Sequence, residues 1–112
     1  MVPIHSKEEF LEKIQDSCVV VFLFTTKWCS DCLFIKPFLP SIEDDFPDIH
    51  FYEVDRDQCL DLAIEHEILG IPSFIAYKDG KEITRFVSSF RKTKEEIEDY
   101  LQVTVEKGKK ND

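Results

Sequence analysis

Several absences narrow the functions open to this chain. None of its apolar runs approaches the ~18 residues of a membrane-spanning helix, the longest being Cys18-Val19-Val20-Val21-Phe22-Leu23-Phe24. Met1-Val2-Pro3-Ile4-His5 has neither the basic region nor the apolar core of a secretory leader, so an unanchored, cytoplasmic protein is expected. Positive charge is scarce, with 14 Lys and Arg against 23 Asp and Glu, for a formal net charge of -9. That balance disfavours nucleic acid and anionic membrane surfaces, which both select clustered positive charge. His5, His50 and His66 stand at no ligand spacing from the cysteines, and one C-x-x-C supplies two ligands where a structural zinc site takes four. No bound metal is expected. Repeats, linkers and low-complexity segments are missing too. The 112 residues fit one domain, taken as 1–106, with a charged, frayed tail over 107–112.

What is present suffices for a core, since 43% of the residues are hydrophobic and ten are Phe. Ser6 followed by Glu9 has the form of a capping box, and Phe10, Leu11 and Ile14 recur at helical spacing, which predicts a helix over Ser6 to Gln15. Cys18 to Phe24 is β-branched and without alternation, as in a central strand covered on both faces. Leu33, Phe34, Phe38, Leu39, Ile42 and Phe46 then predict a helix over Asp31 to Asp45, kinked at Pro37. A strand over His50 to Val54 and a short helix over Asp57 to His66 follow. Ser73 to Lys78 and Glu82 to Val87 flank Asp79-Gly80, a hairpin turn signal. Thr93 with Glu96 caps a final helix carrying Ile97, Tyr100 and Leu101. The order α, β, α, β, α, β, β, α implies a mixed sheet of about four strands with helices on both faces.

Four cysteines without a leader segment read as free thiols plus one working pair. Cys29 and Cys32, in Trp28-Cys29-Ser30-Asp31-Cys32, stand where the central strand gives way to a helix. Two thiols three residues apart there can close a disulfide with each other. Unpaired backbone N–H groups at the helix opening favour negative charge, so Cys29 is the expected nucleophile and Cys32, one turn further in, the resolving thiol. Strand-to-helix junctions at the carboxyl end of a sheet are also where open α/β folds place their sites.

That pentapeptide, Pro37 five residues beyond it, Gly70-Ile71-Pro72-Ser73-Phe74, and a hairpin turning at Lys78-Asp79-Gly80 together resemble the thioredoxin family, in order and over nearly the whole chain. Within the family the chain is similar to small C-x-D-C thioredoxin-like proteins. The resemblance implies an α/β thioredoxin fold and a dithiol–disulfide reductase. It would reduce disulfide-bearing client proteins or small disulfides as a monomer, without a bound cofactor, and be recycled by a thioredoxin-reductase-type flavoprotein. It also implies that Trp28 lines the site and that Ile71-Pro72 is a cis-proline loop, whose backbone receives an extended client. A different class of function, a thioredoxin-fold binding module or redox sensor that does not turn clients over, shares the same motif.

Three departures from the family pattern stand out. Leu23 occupies the place of a buried aspartate, so the usual proton acceptor for the resolving thiol is missing, and Asp31, or water it positions, is the candidate substitute. Asp31 also opposes a thiolate at Cys29, by roughly 1 to 3 kcal/mol for unit charges ~5 Å apart. Ser88 stands where the family has a glycine in its client groove, and its side chain is expected to narrow the range of clients. Elsewhere, Cys18 is expected to be a buried core residue, and Cys59 a structural thiol ahead of a regulatory or dimer-forming one, its acidic neighbours Asp57 and Asp61 holding down its reactivity.

Overall fold

The computed structural model describes residues 1–110, the side chain of Lys110 excepted. In chain order the elements are β1 (Val2–Ile4), α1 (Lys7–Lys13), β2 (Val20–Thr25), α2 (Ser30–Ile35), a 3-10 turn (Lys36–Phe38), α3 (Leu39–Asp45), β3 (His50–Asp55), α4 (Leu60–Glu65), β4 (Ser73–Lys78), β5 (Lys81–Phe86) and α5 (Lys94–Lys110). The five strands form one sheet in the order β1-β3-β2-β4-β5. β3 runs parallel to both β1 and β2, and β4 runs antiparallel to β2 and β5.

β2 occupies the middle of the sheet, and Val20 to Phe24 are each at most 1% exposed. Successive strand residues face opposite sides. Val20, Phe22 and Phe24 therefore join Phe10, Val54, Leu62 and Tyr77 in one core layer, while Val21 and Leu23 join Ile35, Ile42, Phe74, Ile97 and Leu101 in the other. Phe22 is the hub of the first layer, its ring 4.5 Å from Phe10, 5.4 Å from Tyr52 and 6.1 Å from Tyr77. A run with no alternation is what two covered faces require.

Local signals formed the elements they predicted. Ser6 Oγ accepts the Glu9 N–H at 3.1 Å. At α5, Thr93 Oγ1 accepts from Glu96 N–H at 3.1 Å and Glu96 Oε1 accepts from Thr93 N–H at 3.0 Å, a reciprocal box. Asp79 and Gly80 take φ of 53° and 82°, the left-handed pair that a tight hairpin turn needs. Pro37, without an N–H to donate, interrupts the long helix as the 3-10 turn between α2 and α3.

Three expectations are corrected. Val2–Ile4 forms an additional strand, giving five where about four were expected; an edge position tolerates Pro3 at its centre, which hid it from periodicity. Cys18 is exposed, because its N–H bonds Asp16 Oδ1 at 2.9 Å in a turn and the strand starts only at Val20. Residues 107–110, read as frayed tail, continue α5: Lys78 Nζ donates to the Gly108 carbonyl at 2.8 Å, and a Cβ at Gly108 would lie 2.6 Å from Val19 Cγ2. The remainder of that tail lies outside the described residues. Since Phe22 is fully buried between three rings, Phe22→Ala is predicted to lower the unfolding free energy by roughly 3–5 kcal/mol in urea titration, without change in the denaturant slope.

Candidate functional site

The end of β2 delivers the cysteine pair to the surface. Cys29 is the N-cap of α2, and its Sγ accepts the Cys32 N–H at 3.3 Å. From the other side Cys29 Sγ faces the Ile71 carbonyl at 3.8 Å, across a cis Ile71-Pro72 bond that opens onto β4. Both sulfurs are free thiols. Cys29 and Cys32 are 8% and 6% exposed, so Cys32 is only marginally the deeper of the two.

Trp28 lies beside the pair and is 65% exposed, yet it is fixed. Its Nε1 donates to Asp57 Oδ2 at 2.7 Å, and the Arg56 guanidinium lies 5.4 Å from its ring. Asp55 holds the turn that presents Asp57, its Oδ1 accepting the N–H groups of Asp57 and Gln58 at 2.8 and 3.2 Å. A large ring is thereby held at the rim by groups on a different strand end.

The loop between β5 and α5 closes the opposite side. Ser88 reaches the neighbourhood of Ile71 through Gly70: a Cβ on Gly70 would come within 2.4 Å of the Ser88 carbonyl oxygen, so this contact requires glycine. Ser73 Oγ donates to the Gly70 carbonyl and pins the same segment. Three residues past Ser88, Arg91 Nε donates to Asp31 Oδ1 at 2.8 Å while its guanidinium covers the Phe34 ring at 4.4 Å. Leu69 and Phe90, at 88% and 79% exposed, extend apolar surface from the Ile71 and Ser88 segments.

The thiols differ in their electrostatics. Burial, reinforced by the hydrogen bond with Cys29, pushes the Cys32 thiol up to about 12; the Thr26 backbone works against this, and the charges of Cys29 and Asp31 add to it. Leu23 is 1% exposed and belongs to the apolar layer of Ile35 and Phe74, while Glu53, its register partner on β3, and Asp55 line the same cavity as Leu23 and Cys32. Asp31, the substitute acceptor, is engaged in its ion pair with Arg91. Cys59 is 3% exposed, and burial, then Asp61, Asp55 and Glu9, raise its thiol, in keeping with an inert structural cysteine. Among the described residues no group of three or more His, Cys, Asp and Glu is gathered closely enough to hold a metal ion.

The structure thus brings Trp28, Cys29, Asp31, Cys32, Ile71, Pro72 and Ser88 into one neighbourhood. Sequence reasoning missed Asp57 and Arg56 behind Trp28, and Arg91 and Lys92 beside Ser88. For the last two a signal exists: a basic pair next to a proposed groove residue in a chain of charge -9.

Three kinds of likeness accompany this geometry. Residues 1–103 match the family model described as Thioredoxin. Thioredoxin of Mus musculus is 41% identical over 86 residues, covering 74% of this chain and 81% of the mouse protein. Thioredoxin H-type of Fagopyrum esculentum is 32% identical over 93 residues, covering 80% of each. Among solved structures, thioredoxin from Trypanosoma brucei brucei superposes with a TM-score of 0.85 at 24% identity, covering 95% of this chain and 91% of that one, a likeness of fold.

Because folded Cys32 holds its proton more tightly than the unfolded chain, its stabilising contribution is complete below the ordinary thiol value of 9.0 and is lost as pH rises towards about 12. Tyr77 and Tyr100, pushed up to about 12 by burial, act in the same window. Denaturant titrations of the reduced protein are therefore predicted to show stability falling above pH 9.0, with a shallower fall in Cys32→Ser.

Proposed function

The chain belongs to the thioredoxin family, and from that premise we propose that Cys29 attacks client disulfides and Cys32 resolves the product. It is a thiol–disulfide oxidoreductase of the protein-disulfide reductase kind, with a thioredoxin fold. The observation that carries the assignment of roles is the position of Cys29 Sγ, capped by the Cys32 N–H and turned to the Ile71 carbonyl.

The Cys29 thiol loses its proton to solvent, and the thiolate attacks one sulfur of a client disulfide. A Cys29–client mixed disulfide forms while the second client sulfur leaves as thiolate and takes up a proton. Cys32 then loses its proton and attacks Cys29 Sγ. The mixed disulfide breaks, the Cys29–Cys32 disulfide forms, and the first client sulfur departs as a thiol after protonation. Two electrons pass from the pair to the client. Burial of Cys32 keeps it protonated in the resting dithiol, so that Cys29, not Cys32, meets the client disulfide as the attacking thiolate.

Substrate contacts fall to the rim. Trp28, held by Asp57, and the Ile71 backbone ahead of Pro72 receive an extended client segment, and Ser88 adds bulk and a hydroxyl at the opposite wall, which restricts the clients accepted. Asp31 acts on the pair through its charge, raising Cys32, with Arg91 partly neutralising it. Asp31 is partly buried and its Oδ1 is already taken by Arg91, so we assign it this electrostatic role ahead of proton acceptance. Re-reduction by a thioredoxin-reductase-type flavoprotein, a monomeric state and a cytoplasmic location complete the proposal. Among the described residues no helix is long and apolar enough to cross a membrane.

The test is turnover of a model protein disulfide with NADPH and a thioredoxin reductase. The expected result is many disulfides cleaved per protein molecule, abolished in Cys29→Ser. Cys32→Ser is predicted to accumulate a mixed disulfide with client, detected by mass. Stoichiometric consumption without turnover by the wild type would indicate a sensor. In Asp31→Asn the pH–rate profile is predicted to move to lower pH, since a charge that raises Cys32 is gone; an unmoved profile removes Asp31 from the mechanism.

A further inference from the structure

Lys92 is a lysine in the wrong place for solvent. It is 1% exposed, and a buried ammonium is normally paired with a carboxylate. Its Nζ instead donates to two neutral acceptors of one residue, the Ser88 carbonyl at 3.2 Å and Ser88 Oγ at 3.3 Å, and lies 5.0 Å from the Phe86 ring centre. Among the described residues no carboxylate oxygen stands within ion-pair distance of it, whereas its neighbour Arg91 takes Asp31. An amine held this way lacks a full counter-charge in the resting dithiol.

The groups around it lead to the redox pair. Lys92 is linked to the cysteines through one continuous set of contacts: Nζ to Ser88, Ser88 to Gly70, and the adjoining Ile71 carbonyl to Cys29 Sγ. The titratable groups that act on it are Cys32 and Cys29 at the start of α2, Asp31 between them and Glu96 in the first turn of α5. On its own loop Arg91 is the other charge. Burial lowers the amine's pKa, and the two thiols, Glu96 and Asp31 raise it again.

We propose that Lys92 is a positioning residue of the redox site, whose buried ammonium, seated on Ser88, is the counter-charge for the thiolate that forms in the Cys29–Cys32 pair. This deepens the reductase reading and rests on it. Its charge opposes that of Asp31, and its two hydrogen bonds hold Ser88 and the groove wall at the same time. The two roles separate experimentally.

In full-length, reduced Lys92→Met, the pH midpoint of ultraviolet thiolate absorbance is expected to rise by about one unit, so alkylation of Cys29 at neutral pH slows about tenfold and recovers at higher pH. Lys92→Arg, which keeps the charge, is expected to keep the wild-type midpoint; Ser88→Ala, which removes one acceptor, is expected to affect KM more than the midpoint. An unmoved midpoint in folded Lys92→Met overturns the proposal. Should that variant fail to fold, the wild-type protein supplies the test through linkage, since a thiolate that is stabilised by Lys92 must stabilise the ammonium equally. The side-chain NMR titration of Lys92 is then expected to show a lower midpoint in the disulfide form than in the dithiol form, and equal midpoints overturn the proposal. Failure of turnover with reductase while these midpoints still move would contradict the reductase reading and leave the charge coupling standing.

Discussion

Everything at this site depends on Cys29 being held between two pieces of backbone. The Cys32 N–H reaches its sulfur from within α2, and the Ile71 carbonyl faces it from the loop before β4. In both contacts the partner of the sulfur is a backbone group. Both are fixed because β2 and β4 are hydrogen-bonded neighbours, with Phe24 opposite Ser73 at the end where α2 begins and the Ile71-Pro72 segment ends. The buried middle of the sheet is therefore the device that sets the spacing of nucleophile and groove. Phe22, Phe24 and Phe74 act on the chemistry only through that spacing.

Around this rigid centre the charges are balanced rather than absent. Asp31 places a carboxylate between two thiols, where it makes a thiolate harder to form. Two cations from one loop answer it: Arg91 binds Asp31 directly and lies over Phe34, while Lys92 sits buried on Ser88. An exposed ion pair such as Arg91–Asp31 is worth only ~0–1 kcal/mol in stability, so its larger consequence is electrostatic. With Leu23 in the floor, the Cys32 thiol is raised first by burial and by its hydrogen bond with Cys29, and the charge of Asp31 at the rim adds to that. That is a different arrangement from one in which a carboxylate beneath the cysteines accepts the proton.

Much of this was legible beforehand because it is written in local patterns. The covered strand, the Ser6 cap, the Thr93–Glu96 capping box, the Asp79-Gly80 turn and the interruption at Pro37 each follow from a few neighbouring residues, and each formed, although Glu9 turns back to the His5 N–H and not to that of Ser6. β1 was not legible, since three residues with a proline at their centre carry no period; only pairing with β3 makes them a strand. The end of α5 was misread for a similar reason. Lys107 to Lys110 have no apolar stripe, and the contact of Gly108 with Val19 and Lys78 is a long-range one. At the site, the motif residues announced themselves through spacing, whereas Asp57, Arg56, Arg91 and Lys92 are polar residues on distant loops whose meaning appears only when the chain brings them to Trp28, Asp31 and Ser88.

The central claim is that Cys29 and Cys32 form one reversible two-electron centre, while Cys18 and Cys59 stand outside it, the first exposed in a turn and the second buried with a raised thiol. Counting free thiols by mass across a glutathione redox titration tests this most directly. The account predicts a single reversible transition in which two of the four thiols disappear together, mapped by peptide analysis to a Cys29–Cys32 disulfide. Loss of Cys18 or Cys59 in that transition, or oxidation of Cys29 without Cys32, would contradict it.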